Sequence, residues 1–198
     1  MGDGHTRIVD GRMVPVAGEW VIDGLHTSVA FAARHLLTAM RGRFRNVSGT
    51  ILIGEDPAES RTEVRIDAAS IDTAHPKADE HLRGPKFLDV ERYPALTFVG
   101  TGARPEGADS WVVPGHLTVR DVTLPLELRV QFLGAVRHPS MPVAKMSFEA
   151  TGELRRDDFG VAGYMDVHAP GVPEVLLVGR QVEIRLDVEA DLQLDGRD

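Results

Sequence analysis

From Val182 to Leu194 the chain alternates without a slip. Val182, Ile184, Leu186, Val188, Ala190, Leu192 and Leu194 share one parity; Glu183, Arg185, Asp187, Glu189, Asp191 and Gln193 take the other. Successive side chains of a strand point to opposite faces, so this pattern specifies a strand with one buried and one wet face; a helix would spread both rows around its circumference. At about 3.3 Å per residue the strand runs about 45 Å, more than twice the usual length. It requires a comparably long sheet beside it.

The preceding sequence supplies that sheet. Val29, Phe31, Ala33 and His35 form one apolar row, and Phe44 to Ile53 reads as a strand with Gly49 at a bulge or close backbone approach. Val64, Ile66 and Ala68 follow, then Leu96, Phe98, Gly100 and Gly102. Further rows run from Trp111 to Val119, from Leu124 to Phe132, and through Met146, Phe148, Ala150, Gly152 and Leu154. About eight strands with mostly hairpin-length connections make an all-β, antiparallel protein. An eight-stranded up-and-down barrel removes the exposed edges, while a sandwich satisfies the same strand count. Such a barrel is just wide enough for packed side chains or one small ligand. The small inward residues Ala33, Gly100, Gly102, Gly115, Ala150, Gly152 and Ala190 either leave space in it or relieve twist in long strands.

Ser70 to Phe98 breaks the alternation. Asp72 and Thr73 are capping residues, Pro76 can open a helix, and Ala78, His81 and Leu82 fall at helical spacing before Gly84 and Pro85 stop it. A second turn, Lys86 to Tyr93, presents Phe87, Leu88 and Val90. This short helical insert between two long strands reads as a lid. Leu36 to Met40 reads as one helical turn ended by Gly42, and residues 156 to 180 as irregular. Arg156 is expected to pair with Asp157 or Asp158, with Phe159 plugging one end of the barrel. Residues 1–17 read as an N-terminal arm, leaving 18–195 as a single domain.

Charge and composition exclude several function classes. Lys plus Arg total 22 against 30 Asp plus Glu, a net charge of −8. Such a surface repels nucleic acid and anionic lipid headgroups unless a local basic patch overrides the total, and no basic run stands in the sequence. The absence of cysteine removes disulfides and thiolate chemistry. No stretch approaches the 18 apolar residues of a membrane span and no signal-like apolar region is present, so a cytoplasmic protein without a membrane span is expected. Asp72, His75, Asp79 and His81 lie close together, but their spacing matches no closed zinc site, and no metal is expected.

Several short motifs occur in a telling order: Trp20-Val21-Ile22-Asp23, His26-Thr27-Ser28-Val29-Ala30-Phe31, Gly42-Arg43-Phe44, Ala69-Ser70-Ile71-Asp72-Thr73, Phe87-Leu88-Asp89-Val90, Tyr93-Pro94-Ala95-Leu96-Thr97-Phe98, Gly115-His116-Leu117-Thr118-Val119 and Arg156-Asp157-Asp158-Phe159-Gly160. Together they resemble the YceI-like family. Gly84, Leu88, Leu124 and Arg155 depart from its common pattern. The resemblance implies a lipocalin-like extended barrel that binds a polyisoprenoid, an isoprenoid quinone or a similar amphiphile, in a carrying or sequestering role, with homodimers among its forms. It implies neither a catalytic set nor a resident cofactor.

The expected ligand contacts are Phe31, Ala33, His35 and Phe44 early in the chain, Leu82, Phe87 and Leu88 in the insert, and Phe98, Met146, Phe148, Ala150 and Phe159 beyond it. His35 ends an inward row, where it either hydrogen-bonds a ligand head group or is a satisfied core histidine. Two rival functions remain: an enzyme acting on a small amphiphile with His35 or His81 as general base, and a ligand-free interaction module.

Overall fold

A computed structural model describes residues 4–35, 37–107, 110–161, 166–167, 175–176 and 178–194. In chain order the strands are β1 (Thr6–Val9), β2 (Arg12–Pro15), β3 (Gly18–Ile22), β4 (Ser28–His35), β5 (Thr38–Phe44), β6 (Val47–Ile53), β7 (Arg61–Asp67) and β8 (Ile71–Asp72). Helix α1 (Pro76–Arg83) follows, and then β9 (Ala95–Thr101), β10 (Arg104–Glu106), β11 (Ser110–Val119), β12 (Val122–Arg137), β13 (Val143–Arg155), β14 (Asp166–Val167), β15 (Val175–Leu176) and β16 (Val178–Gln193). α1 is far too short to cross a membrane, and no helix among the described residues is long and apolar enough to do so.

Strands β3, β6, β7, β9, β11, β12, β13 and β16 close into one eight-stranded antiparallel barrel. The long alternating strand holds it shut. One edge of β16 pairs with β13 from Val143↔Gln193 to Arg155↔Gln181. Its other edge is shared, first by β3 at Ile22 and Val21, then by β4 from Ser28 to Ala33. β3 and β4 are thus one barrel strand bent at residues 23–27. Thr27 fixes the bend: its hydroxyl donates to the Glu189 carbonyl at 3.2 Å and accepts from the Glu189 amide at 3.3 Å. The Asp23 amide donates to the same carbonyl at 2.9 Å. Gly49 lies where two strands come close, because a Cβ there would sit 2.1 Å from the Glu63 carbonyl oxygen.

Beyond the bend, the β4–β5 hairpin rises on β16. β5 has a further ladder partner only at Arg43 and Phe44, which pair with β8, so among the described residues its edge from Thr38 to Gly42 carries no strand. Leu36 to Met40 is therefore not a helical turn. Five residues are too few to sustain a helix against a strand pairing on offer, and β5 starts at Thr38 with Met40 opposite Ala33. Leu36 itself lies outside the described residues.

α1 matches the expected span, but its start is built differently. His75 is the cap residue, and its side chain makes no capping bond. The Asp79 carboxylate, buried inside the first turn, instead accepts from the Thr73 amide at 2.8 Å and hydroxyl at 2.7 Å. Lys86 to Tyr93 forms turns, with Phe87 and Leu88 buried beneath them. At the opposite end, β1 and β2 pair as a hairpin. Val14 is buried there, and Arg7 donates to the Gly54 and Glu55 carbonyls.

Candidate ligand site

The barrel encloses a cavity of about 420 Å³. β4 and β5 contribute Phe31, Ala33 and Phe44 to its wall, with the Phe31 and Phe44 rings 5.8 Å apart. β9 and β13 contribute Phe98, Met146, Phe148 and Ala150; the insert supplies Leu82, Phe87 and Leu88; Phe159 lines it from the turn after β13. Eleven of the twelve expected contacts thus share one cavity. For His35 the structure gives only the backbone, paired with Thr38 and Val178; its side chain lies outside the described residues.

The sequence reading missed Val14 and Pro15, which line the cavity from the arm hairpin, and Trp111, which lines it from β11. The Met13-Val14-Pro15-Val16 cluster was the available signal for the first two.

Among the small inward residues, Gly115 and Gly152 fit neither expectation. A Cβ at Gly42 would lie 2.4 Å from the Phe31 ring, and one at Gly115 would lie 2.5 Å from the Phe98 ring. At Gly152 it would lie 2.9 Å from the Leu128 side chain. These glycines let large neighbours lie flat on the wall and leave no room of their own. Ala33 and Ala150, by contrast, do border the cavity.

Polar wall groups are few, and Thr27, Ser60 and Arg156 among them are committed to the frame. Thr27 is held by Glu189, and the Ser60 hydroxyl accepts from the Gly54 amide at 3.2 Å. Arg156 is buried and donates to the carbonyls of Gly179, Val161 and Val178 at 3.0, 2.7 and 2.9 Å. It is Arg155 that reaches the carboxylates, at 2.9 Å from Asp157 and 3.7 Å from Asp158. The expected ion pair therefore forms one residue earlier, because Arg156 points inward and bonds the backbone of the crossing segments. His81 also lines the cavity, from α1.

The residues weighed as metal ligands do not converge. Asp72 pairs with Arg43 and Arg45, while Asp79 is engaged by Thr73. Among the described residues, the only group at metal-binding spacing is Asp23, His26 and Glu189, outside the lumen at the β3–β4 bend. A cation already serves it: the Lys145 ammonium lies 2.8 Å from Asp23, 3.8 Å from Glu189 and 2.7 Å from Asp191. The hydrogen bond from Lys145 holds the Asp23 carboxyl well below the usual range, against its partial burial. Burial pushes the Lys145 ammonium down, and its hydrogen bonds to Asp191 and Asp23 more than reverse this.

The hydrogen bond to Asp23, at 2.7 Å, raises the His26 imidazole above 6.5. Folding thus favours protonated His26. Its contribution is complete below the unfolded value near 6.5 and is lost as pH rises through the higher folded value. Asp23 has the opposite sign: its contribution is present above the ordinary carboxylate range and is lost only in strong acid. His26→Gln is accordingly expected to be less stable than wild type at about pH 5.5 and to converge with it at about pH 9. Urea unfolding at the two pH values reads the difference; a gap that widens with pH would contradict the assignment.

Comparison with known proteins places this arrangement. The family model described as a YceI-like domain matches residues 20–190. The protein named Protein YceI from Salmonella arizonae is 35% identical over 150 residues, covering 74% of this chain and 78% of that one. The crystal structure of BcnA from Burkholderia cenocepacia superposes with a TM-score of 0.67 at 21% identity, over 85% of this chain and 98% of the other. A polyisoprenoid binding domain from Saccharophagus degradans, implicated in plant cell wall breakdown, superposes at 0.62 with 14% identity, over 89% and 99%. At these identities the two structures speak to the fold.

Proposed function

The chain belongs to the YceI-like family, and on that premise we propose that its barrel binds one long apolar molecule, a polyisoprenoid, an isoprenoid quinone or a similar amphiphile, and carries or sequesters it unchanged. The observation that carries this reading is the apolar-walled cavity of the barrel, whose about 420 Å³ falls within the range of small-molecule sites. Each methylene moved from water onto its apolar wall contributes about 0.8 kcal/mol. With the Thr27, Ser60 and Arg156 groups bonded to the frame, hydrocarbon suits the wall better than a polar ligand does. The polyisoprenoid binding domain of Saccharophagus degradans, which shares the fold, supports the same ligand class.

Entry fits the seam beside the lid. α1 is tied to its own base, where Arg83 donates to the Ala69 and Ile71 carbonyls at 2.8 Å. The Thr38–Gly42 edge of β5 has no ladder partner among the described residues, yet Met40 from that edge and Leu82 from α1 line one cavity. Among the described residues no strand ladder spans this seam, so parting it breaks none.

The two tryptophans provide the test. Trp111 borders the cavity, whereas Trp20 is fully buried away from it. Titration with an isoprenoid quinone is expected to quench fluorescence and saturate at one equivalent, and Trp111→Phe should remove most of the quenched signal. A linear, unsaturable response would refute lumen binding. Turnover of the added amphiphile, abolished by His81→Ala, would instead favour the enzyme reading. A homodimer and a cytoplasmic setting belong to the same proposal, and the mass of the native particle tests the first.

A further inference from the structure

We propose that the β4–β5 hairpin docks the barrel on an anionic bilayer surface, with Leu37 entering the apolar boundary and the flanking arginines meeting the headgroups. From Gly24 to Gly54 the sequence holds four arginines and no Asp or Glu, within a chain of net charge −8. No basic run is visible because the charges alternate with other residues. Pairing turns that alternation into a face: Arg34 lies opposite Ala39, Arg41 opposite Ala32 and Arg43 opposite Ala30. Arg34, Arg41, Arg43 and Arg45 are all exposed. Asp72 pairs with Arg43 and Arg45 at the base of the hairpin; Glu183 stands opposite Ala32, beside the Arg41 strand, and Glu153 and Asp158 line one pocket with Arg34, so acids border the face below the tip, while Asp187, opposite Ser28, lies farther from it. At the tip itself Leu37 is 91% exposed.

An exposed leucine framed by arginines on an otherwise acidic protein complements a negatively charged bilayer surface. Basic residues near such a surface each add appreciable attraction, and the apolar tip adds burial. The acidic remainder of the barrel is repelled, so attachment is oriented. It brings the seam between β5 and α1 to the lipid.

Docking does not require an occupied lumen, so delipidated protein is used. Co-sedimentation is measured with vesicles of phosphatidylcholine plus phosphatidylglycerol and with phosphatidylcholine alone. Expected are binding to the anionic vesicles only, weakening with salt, and a loss of at least about tenfold in Arg34→Glu/Arg41→Glu. Leu37→Ser should also weaken it. Arg137→Glu, exposed at the arm end, changes net charge without touching the hairpin and should retain more binding than Arg41→Glu. No binding, equal binding to both vesicles, or equal losses in Arg137→Glu and Arg41→Glu would overturn the proposal. Failure of quinone binding in the titration above would leave these vesicle results unchanged, so the two readings fail separately.

Discussion

Ala150→Phe is expected to abolish lumen binding while the barrel stays folded. Ala150 is 1% exposed and lies on the cavity wall, between Val130 on β12 and Leu186 on β16. It lines the cavity, so a phenyl ring there enters the volume a ligand would use. Insertion of extra carbon into a packed core costs about 1–3 kcal/mol, and less where a cavity receives it. The unfolding midpoint should therefore move little, whereas affinity for an isoprenoid quinone should fall by at least about tenfold, the equivalent of about 1.4 kcal/mol. Gly152→Leu is not an equivalent probe. Its first added carbon already meets Leu128 at 2.9 Å, so it strains the wall. Wild-type affinity in Ala150→Phe, measured by quenching, would place the ligand elsewhere.

Trp20→Ala should produce the reverse pattern. Trp20 is completely buried, stands opposite Ile51 on β6, and donates its indole N–H to the Val16 carbonyl at 3.2 Å. Its loss opens a core void and unties the arm from β3. Truncations of this type cost about 3–5 kcal/mol. For a domain of this size that corresponds to a fall of roughly 6–20 °C in melting temperature. Trp20 does not border the cavity, so the fraction that remains folded should bind with unchanged stoichiometry. A melting temperature within a degree or two of wild type would contradict the packing role assigned to it.

The strands were legible because a half-buried sheet imposes period two, and the row from Val182 to Leu192 lies within β16 along both of its edges. The lid was legible for a similar reason, as a short helical period bounded by Pro76 and Gly84. Where side-chain direction decides, the sequence was mute. Arg155 and Arg156 are identical in type, and only the turn after β13 determines which faces the Asp157 carboxylate and which bonds the carbonyls. Gly115 and Gly152 looked like space but accommodate Phe98 and Leu128, since a missing Cβ can be filled from a neighbouring strand. The arginine face of the hairpin requires β4 and β5 to be paired, and the short apolar run through Leu36 to Met40 concealed that pairing. Val14 could be placed on the wall only once the arm had folded over the barrel end.

The central claim, one apolar molecule held inside the barrel, is most directly tested by native mass spectrometry of the purified protein, followed by organic extraction of whatever is released. Expected is one hydrocarbon-tailed molecule per chain, either carried through purification or acquired on incubation with polyprenol or isoprenoid quinone, and absent from Ala150→Phe. A mass equal to the bare polypeptide after both incubations would contradict it.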